Sequence, residues 1–149
     1  MNKQEYASKY IKPSDIVLDV GCSDKWIRRY FNCKLYVGLD LSSRDADIIA
    51  DAEHLPFIDN SFDVIIAYSI IEHVKNPYLA MKEWLRVTKK LILLWTDYPL
   101  TPFSETDNTH LYCWSPKILR QFLGLFKVKA YDWTIEPVGG SIACVVEKL

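Results

Sequence analysis

Ile16-Val17-Leu18-Asp19-Val20-Gly21-Cys22-Ser23-Asp24 is the stretch whose reading decides the fold. Its first five residues are a short, β-branched apolar run, the composition of a buried strand. Gly21 to Asp24 breaks that run with turn formers, and Trp26, Ile27, Tyr30 and Phe31 then recur at helical spacing. The same alternation continues outward. Leu35-Tyr36-Val37-Gly38-Leu39 reads as a second strand ending at Asp40, and Ile48-Ile49-Ala50 as a brief third ending at Asp51. Phe62 to Tyr68 is a fourth, apolar enough for the centre of a sheet.

The second half carries clearer punctuation. Asn76 can cap a helix, and Pro77 suits its first position, where no backbone N–H is needed. Tyr78, Met81 and Leu85 fall on one face, and Lys89 and Lys90 stand where the negative end of the helix dipole is expected. Leu91 to Trp95 is a fifth strand. Ser115-Pro116 repeats the cap-plus-proline start of a helix that ends at Gly124. Phe126 to Trp133 and Ser141 to Val146 are the last strands, joined through Pro137-Val138-Gly139-Gly140 with no helix between them, so one runs antiparallel. One short helix, Lys3 to Ile11, precedes the first strand. Strands alternating with helices specify an α/β sheet covered on both faces. Nothing resembles a repeat or a linker, so residues 1–149 form a single domain. The segment from Asp97 to Trp114 is long for a connection in so small a domain, and such segments carry function or move.

Composition narrows the function classes. The chain has 149 residues, half of them apolar and 25% charged, an ordinary globular balance. A net charge of −1 creates no broad field that would advertise nucleic acid or a membrane surface. Cys22, Cys33, Cys113 and Cys144 show no CxxC or Cys/His ligand spacing, so free thiols in a reducing compartment are expected, with no metal. The polar N-terminus lacks an apolar signal region, and no apolar run approaches the roughly 20 residues that span a bilayer. The expectation is a soluble, cytoplasmic protein.

Three polar signals sit at three successive strand ends, where open α/β sheets bind ligands. The first is Asp19 with the Gly21-Cys22-Ser23 turn, a small-residue bend that lets backbone approach a ligand closely. Asp40 at the second strand end can accept from both hydroxyls of a ribose. Asp51 at the third can accept from an exocyclic amine, while a neighbouring N–H reads a ring nitrogen. An Asp ending a strand also serves simply as a turn former. The joint spacing, rather than any one residue, describes a nucleoside site. Gly-x-Gly-x-x-Gly is absent after the first strand, which argues against a dinucleotide.

On these residues the chain resembles class I S-adenosylmethionine-dependent methyltransferases of the type 11 group. The matching motifs are Val17 to Cys22, Tyr36-Val37-Gly38-Leu39-Asp40, Asp51-Ala52-Glu53-His54-Leu55-Pro56-Phe57, Asn60 to Ile66, and Ile71-Glu72-His73-Val74. The resemblance implies a Rossmann-like, seven-stranded mixed sheet in the order 3-2-1-4-5-7-6 with strand seven antiparallel. It also implies S-adenosylmethionine as cofactor. Asp19, Gly21, Cys22 and Ser23 would line its methionine part. Asp40 and Leu41 would hold the ribose and pack on the adenine, Asp51 and Ala52 would read the adenine edge, and Tyr68 and Ser69 would lie near the sulfonium. The chain departs from the family in two ways. Ser23 and Lys25 stand where glycines are usual, and Thr88-Lys89-Lys90 replaces a Pro-Gly-Gly, which implies a shortened surface turn.

Methyl transfer is an in-line displacement for which the protein chiefly aligns the reactants and excludes water. A base is needed only when the acceptor must lose a proton. His73, Glu72 and His110 are the candidates. Glu72-His73 reads more readily as a structural pair at a helix start, and His110 equally as a surface histidine; His54 reads as a solvated turn residue. Tyr98, Phe103, Tyr112 and Trp114 could form an acceptor platform, although aromatic residues in small domains more often belong to the core. The short N-terminal helix leaves no long lid, which suits a large acceptor or a partner subunit closing the site, as in a homodimer. The competing reading is a non-catalytic module that holds S-adenosylmethionine or S-adenosylhomocysteine, or serves as a partner subunit.

Overall fold

The computed structural model describes residues 1–98, 109–137 and 139–149. The elements run α1 (Lys3–Tyr10), β1 (Ile16–Val20), a 3-10 segment (Trp26–Tyr30), β2 (Leu35–Asp40), β3 (Ile48–Ile49), β4 (Phe62–Tyr68), α2 (Pro77–Val87), β5 (Thr88–Asp97), α3 (Pro116–Leu123), β6 (Val128–Ile135) and β7 (Ser141–Lys148). The strands form one sheet in the order β3-β2-β1-β4-β5-β7-β6. β1 pairs in parallel with β2 and β4, whereas β7 runs antiparallel to both β5 and β6. The expected order and the antiparallel seventh strand are both present.

Two cores flank the sheet because β4 is apolar on both faces from Val64 to Ala67. In β4, Val64, Ile66 and Tyr68 join Tyr6, Ala7, Ile11, Ile27 and Phe31 on the face covered by α1 and the 3-10 segment. Ile65 and Ala67 point the other way, onto Met81 and Trp84 of α2 and Leu119 and Leu123 of α3. This is the period-2 alternation of a strand buried on both sides.

Three local expectations are corrected. The segment after the first strand is a single 3-10 stretch rather than an α-helix; it starts from Lys25 in the left-handed region, with no side-chain cap. β5 begins at Thr88, directly after α2, so there is no surface turn there. Lys89 and Lys90 therefore lie in the strand, and Lys89 Nζ sits 3.3 Å from Asp63. Thr88 is extended and fully buried, and the β4–β5 register slips between Phe62 and Val64. Glu72 and His73 lie in a turn, well before α2 begins at Pro77. The Asn76 and Ser115 caps are as read: each side chain accepts from the backbone N–H three residues on.

Candidate functional site

The site is assembled from the carboxyl ends of β1 to β4. Gly21 adopts φ +75°, and a Cβ placed there would come within 3.0 Å of the Ile70 side chain. Both features favour glycine over any residue with a side chain. Its N–H and that of Cys22 donate to the Leu39 carbonyl, locking the turn to β2. Ser23 and Lys25 also adopt left-handed backbone, φ +50° and +59°. They keep the glycine-type conformation at a cost of about 1–2 kcal/mol each. Hydrogen bonds offset that strain. Ser23 N–H donates to Asp40 Oδ2 (3.0 Å), Ser43 Oγ donates to the Ser23 carbonyl (2.6 Å), and Lys25 Nζ donates to Asp47 (2.6 Å).

Asp40 therefore has a turn-forming role as well as a place at the cavity wall. Oδ1 accepts from the N–H groups of Ser42 and Ser43, and Oδ2 from that of Ser23. Burial pushes its carboxyl up, but these backbone donors outweigh that and hold it below the ordinary carboxylate range. Asp51 accepts from Glu53 N–H (2.8 Å) in a similar turn. The loop after it is gripped by α2: Trp84 Nε1 donates to the Ala52 carbonyl (3.0 Å), Glu83 accepts from Leu55 N–H, and Arg86 donates to the Leu55 and Phe57 carbonyls. The Asp-Ala-Glu-x-Leu-Pro-Phe motif is thus held open by helix side chains that the sequence reading did not single out. Leu41 is largely exposed beside this cavity.

Two cavities meet at Gly21. The larger, about 670 Å³, is lined by Asp40, Leu41, Asp51, Ala52, Glu53 and His73 among others. The smaller, about 190 Å³, is lined by Lys3, Asp19, Cys22, Ser23, Tyr68 and Ser69, together with Trp26 and Ile27. Every cofactor-site residue predicted from the sequence lies on one of these walls.

The smaller cavity sets a buried acid and a partly buried amine on one wall. Asp19 is buried, and burial raises its carboxyl to about 7; the Tyr36 hydroxyl, donating at 2.6 Å, opposes the rise and the Asp40 charge adds to it. Burial lowers the Lys3 ammonium, against the pull of Asp97 and Glu72. Lys3 Nζ donates to Ser69 Oγ (2.9 Å) and lies 5.9 Å from the Trp95 ring centre. Lys3 was missed in the sequence. The capping box of Asn2 and Glu5 fixes where α1 starts, but no local pattern shows that its first residue reaches β4. The reach comes from docking: the Tyr68 hydroxyl donates to the Lys3 carbonyl, and Tyr6, Lys9 and Tyr10 all bond Asp132 of β6. Cys22 is a wall rather than a nucleophile, because burial pushes its thiol up to about 12.

The three candidate bases converge on one place. Glu72 is buried, accepting from Thr96 Oγ1 (3.0 Å) and Asp97 N–H (3.4 Å), and burial raises its carboxyl. His73 lines the larger cavity, with Nδ1 3.2 Å from the Thr109 carbonyl. His110 packs edge-on against His73, ring centres 4.6 Å apart, with Nε2 3.7 Å from Asp97. His54 is exposed beside Asp51. The aromatic platform is only partly supported. Trp114 is buried in the core against Phe122, and the Tyr112 hydroxyl donates to the Lys75 carbonyl. Tyr98 packs against the same core, and Phe103, Asp107 and Asn108 lie outside the described residues.

Comparison with known proteins shows the family and the fold. The family model described as a methyltransferase domain matches residues 18–93, just over half of the chain. The chain belongs to the methyltransferase-domain family. Phosphoethanolamine N-methyltransferase 3 of Arabidopsis thaliana is 27% identical over 151 residues, covering 87% of this domain and 29% of that protein. A demethylmenaquinone methyltransferase of Renibacterium salmoninarum is 44% identical over 72 residues, covering 45% of this domain and 30% of its own length. The chain spans less than half the length of the curated relatives it matches. The crystal structure of a SAM-dependent methyltransferase from Methanosarcina mazei superposes with a TM-score of 0.72 at 16% identity. That alignment covers 100% of this methyltransferase domain and 98% of that chain, a likeness of fold. Among the described residues, no helix is long and apolar enough to cross a membrane.

Proposed function

We propose that this domain is an S-adenosylmethionine-dependent methyltransferase that lays its cofactor across Gly21, methionine end in the smaller cavity and adenosine end in the larger. One observation carries the reading: the smaller cavity is lined by one buried carboxylate, Asp19, and one partly buried ammonium, Lys3. That pair matches a zwitterionic amino acid, with its ammonium at Asp19 and its carboxylate at Lys3. Asp40 would take the ribose hydroxyls with the acceptor capacity its turn bonds leave, Leu41 would pack on the base, and Asp51 and Ala52 would read the adenine edge. Tyr68 and Ser69, which line the smaller cavity, would lie near the sulfur. The cofactor supplies an electrophilic methyl group on a sulfonium. The chain's own work is to orient it and keep water out. Of the three candidate bases, only His73 lines the cofactor cavity.

Calorimetry on the full chain tests this. S-adenosylmethionine and S-adenosylhomocysteine should both bind, and Lys3→Ala should weaken both about tenfold, the loss of one charge-assisted hydrogen bond. 5′-Methylthioadenosine, which lacks the amino-acid end, should bind wild type and Lys3→Ala alike. Binding of none of the three retires the proposal. Binding without methyl release to any acceptor class would favour the non-catalytic module.

A further inference from the structure

Glu72 and His73 are neighbours in one turn, while His110 arrives from a separate segment, and backbone bonds fix how the two meet. Leu111 N–H donates to the Glu72 carbonyl at 2.8 Å, and Tyr112 N–H shares that acceptor at 3.3 Å. The Tyr112 hydroxyl reaches the Lys75 carbonyl at 2.7 Å. The result places one donor atom each from Glu72, His73 and His110 within 4.8 Å of one another. A tetrahedral first-row ion with bonds of about 2.1 Å needs its donors roughly 3.4 Å apart. The donors must therefore draw together by on the order of an ångström for an ion to bind.

The surroundings are those of metal ligands. Thr109 meets His73 Nδ1 with both its carbonyl (3.2 Å) and its Oγ1 (3.0 Å), contacts that fix the orientation of the imidazole. The Glu72 carboxylate is oriented by Thr96 Oγ1 and the Asp97 N–H. Hydrogen bonds of this kind orient ligating imidazoles and carboxylates. Charge points the same way. Glu72 and Asp97 bring two acids to a half-dry corner, and the ammonium within their electrostatic reach, Lys3, is hydrogen-bonded to Ser69.

We propose that Glu72, His73 and His110 form a divalent-metal site of the two-histidine, one-carboxylate type, suited to Zn²⁺, with Asp97 beside it and an open position toward the larger cavity. The donor set favours a borderline ion over Mg²⁺ or Ca²⁺, which select all-oxygen shells. The inference is independent of the cofactor reading, since neither Lys3 nor Asp19 is a ligand.

The chain has three histidines, so the imidazoles themselves are the assay, with His54 as an internal reference. In ¹⁵N NMR of the whole chain, one equivalent of Zn²⁺ should move the side-chain signals of His73 and His110 and leave His54 in place. Zn²⁺ captured by the cysteines moves none of the three. His110→Ala should weaken Zn²⁺ binding by more than the 10–100-fold typical of losing an outer-shell partner, with the melting temperature of the metal-free variant close to wild type. Glu72→Gln should weaken it too; if that buried change unfolds the chain, His110→Ala alone decides. Unmoved His73 and His110 signals, or wild-type affinity in His110→Ala, overturns the site.

Discussion

In the larger cavity, proposed for the adenosine end of the cofactor, Asp40 and Asp51 have their carboxylates committed to backbone N–H groups. In the smaller cavity, proposed for the methionine end, Asp19 has one hydroxyl partner and a carboxyl pushed up to about 7, and Lys3 donates to Ser69. The first end is charged and settled by its own turns. The second is strained electrostatically and relieved only when opposite charges enter it. Preorganisation is therefore cheap where loops supply donors and costly where strands bury acids, and the two ends should respond differently to mutation and to pH.

The sharpest way to break that comparison is at the point both ends share. Gly21→Val places a β-branched side chain at φ +75° against Ile70 and between the cavities. Calorimetry should show cofactor affinity falling more than about 100-fold, with a lower melting temperature. Near-normal binding would mean the cavities are not one groove.

Asp19 tests the strained end alone. Its native carboxyl titrates at about 7 and its unfolded one near 3.8, so between these values the native state holds a proton that the unfolded state has released. Stability is therefore lost as pH rises from about 4 through about 7, and levels off above. Asp19→Asn removes the effect. The ligand-free variant should be more stable than wild type at pH 8 by on the order of 2–4 kcal/mol, while binding the cofactor more weakly. Parallel melting-temperature profiles between pH 4 and 8 would contradict the assignment.

Asp40 tests the settled end, and the expected sign is opposite. Asp40→Ala should lower cofactor affinity by roughly 1.5–3 kcal/mol and also destabilise the ligand-free chain, because three turn N–H groups lose their acceptor. Asp40→Asn should recover part of the stability and little of the affinity. The smallest effect belongs to the strained turn. Ser23→Gly should stabilise the chain by about 0.5–1 kcal/mol in urea denaturation, since glycine removes a left-handed side chain. A loss of stability would show that the Ser43–Ser23 bond depends on the serine side chain's placement.

How legible these features were follows from their range. The strand-end acids are encoded in short contiguous motifs, the sheet order came with the family resemblance those motifs carry, and Asp19, Gly21, Asp40 and Asp51 stand at the strand ends. The caps at Asn76 and Ser115 read correctly for the same reason. Thr88-Lys89-Lys90 did not, because whether a helix passes straight into a strand depends on the register slip opposite Phe62, a tertiary event. Lys3, Trp84 and Arg86 were silent because their partners lie 66, 32 and about 30 residues away. His110 was visible only as a candidate; its meeting with His73 depends on hydrogen bonds from Leu111 and Tyr112 that no spacing encodes.

Asp132 carries a further meaning. It sits on the outermost strand at a register slip, with φ +52°, and it anchors three side chains of the N-terminal helix. The opposite tip of that helix delivers Lys3 to the groove. The far rim of the sheet thus acts as a mooring post for a reach made at its middle. Loosening the mooring would blunt the grip on a bound molecule's tail while leaving every strand tip where it was.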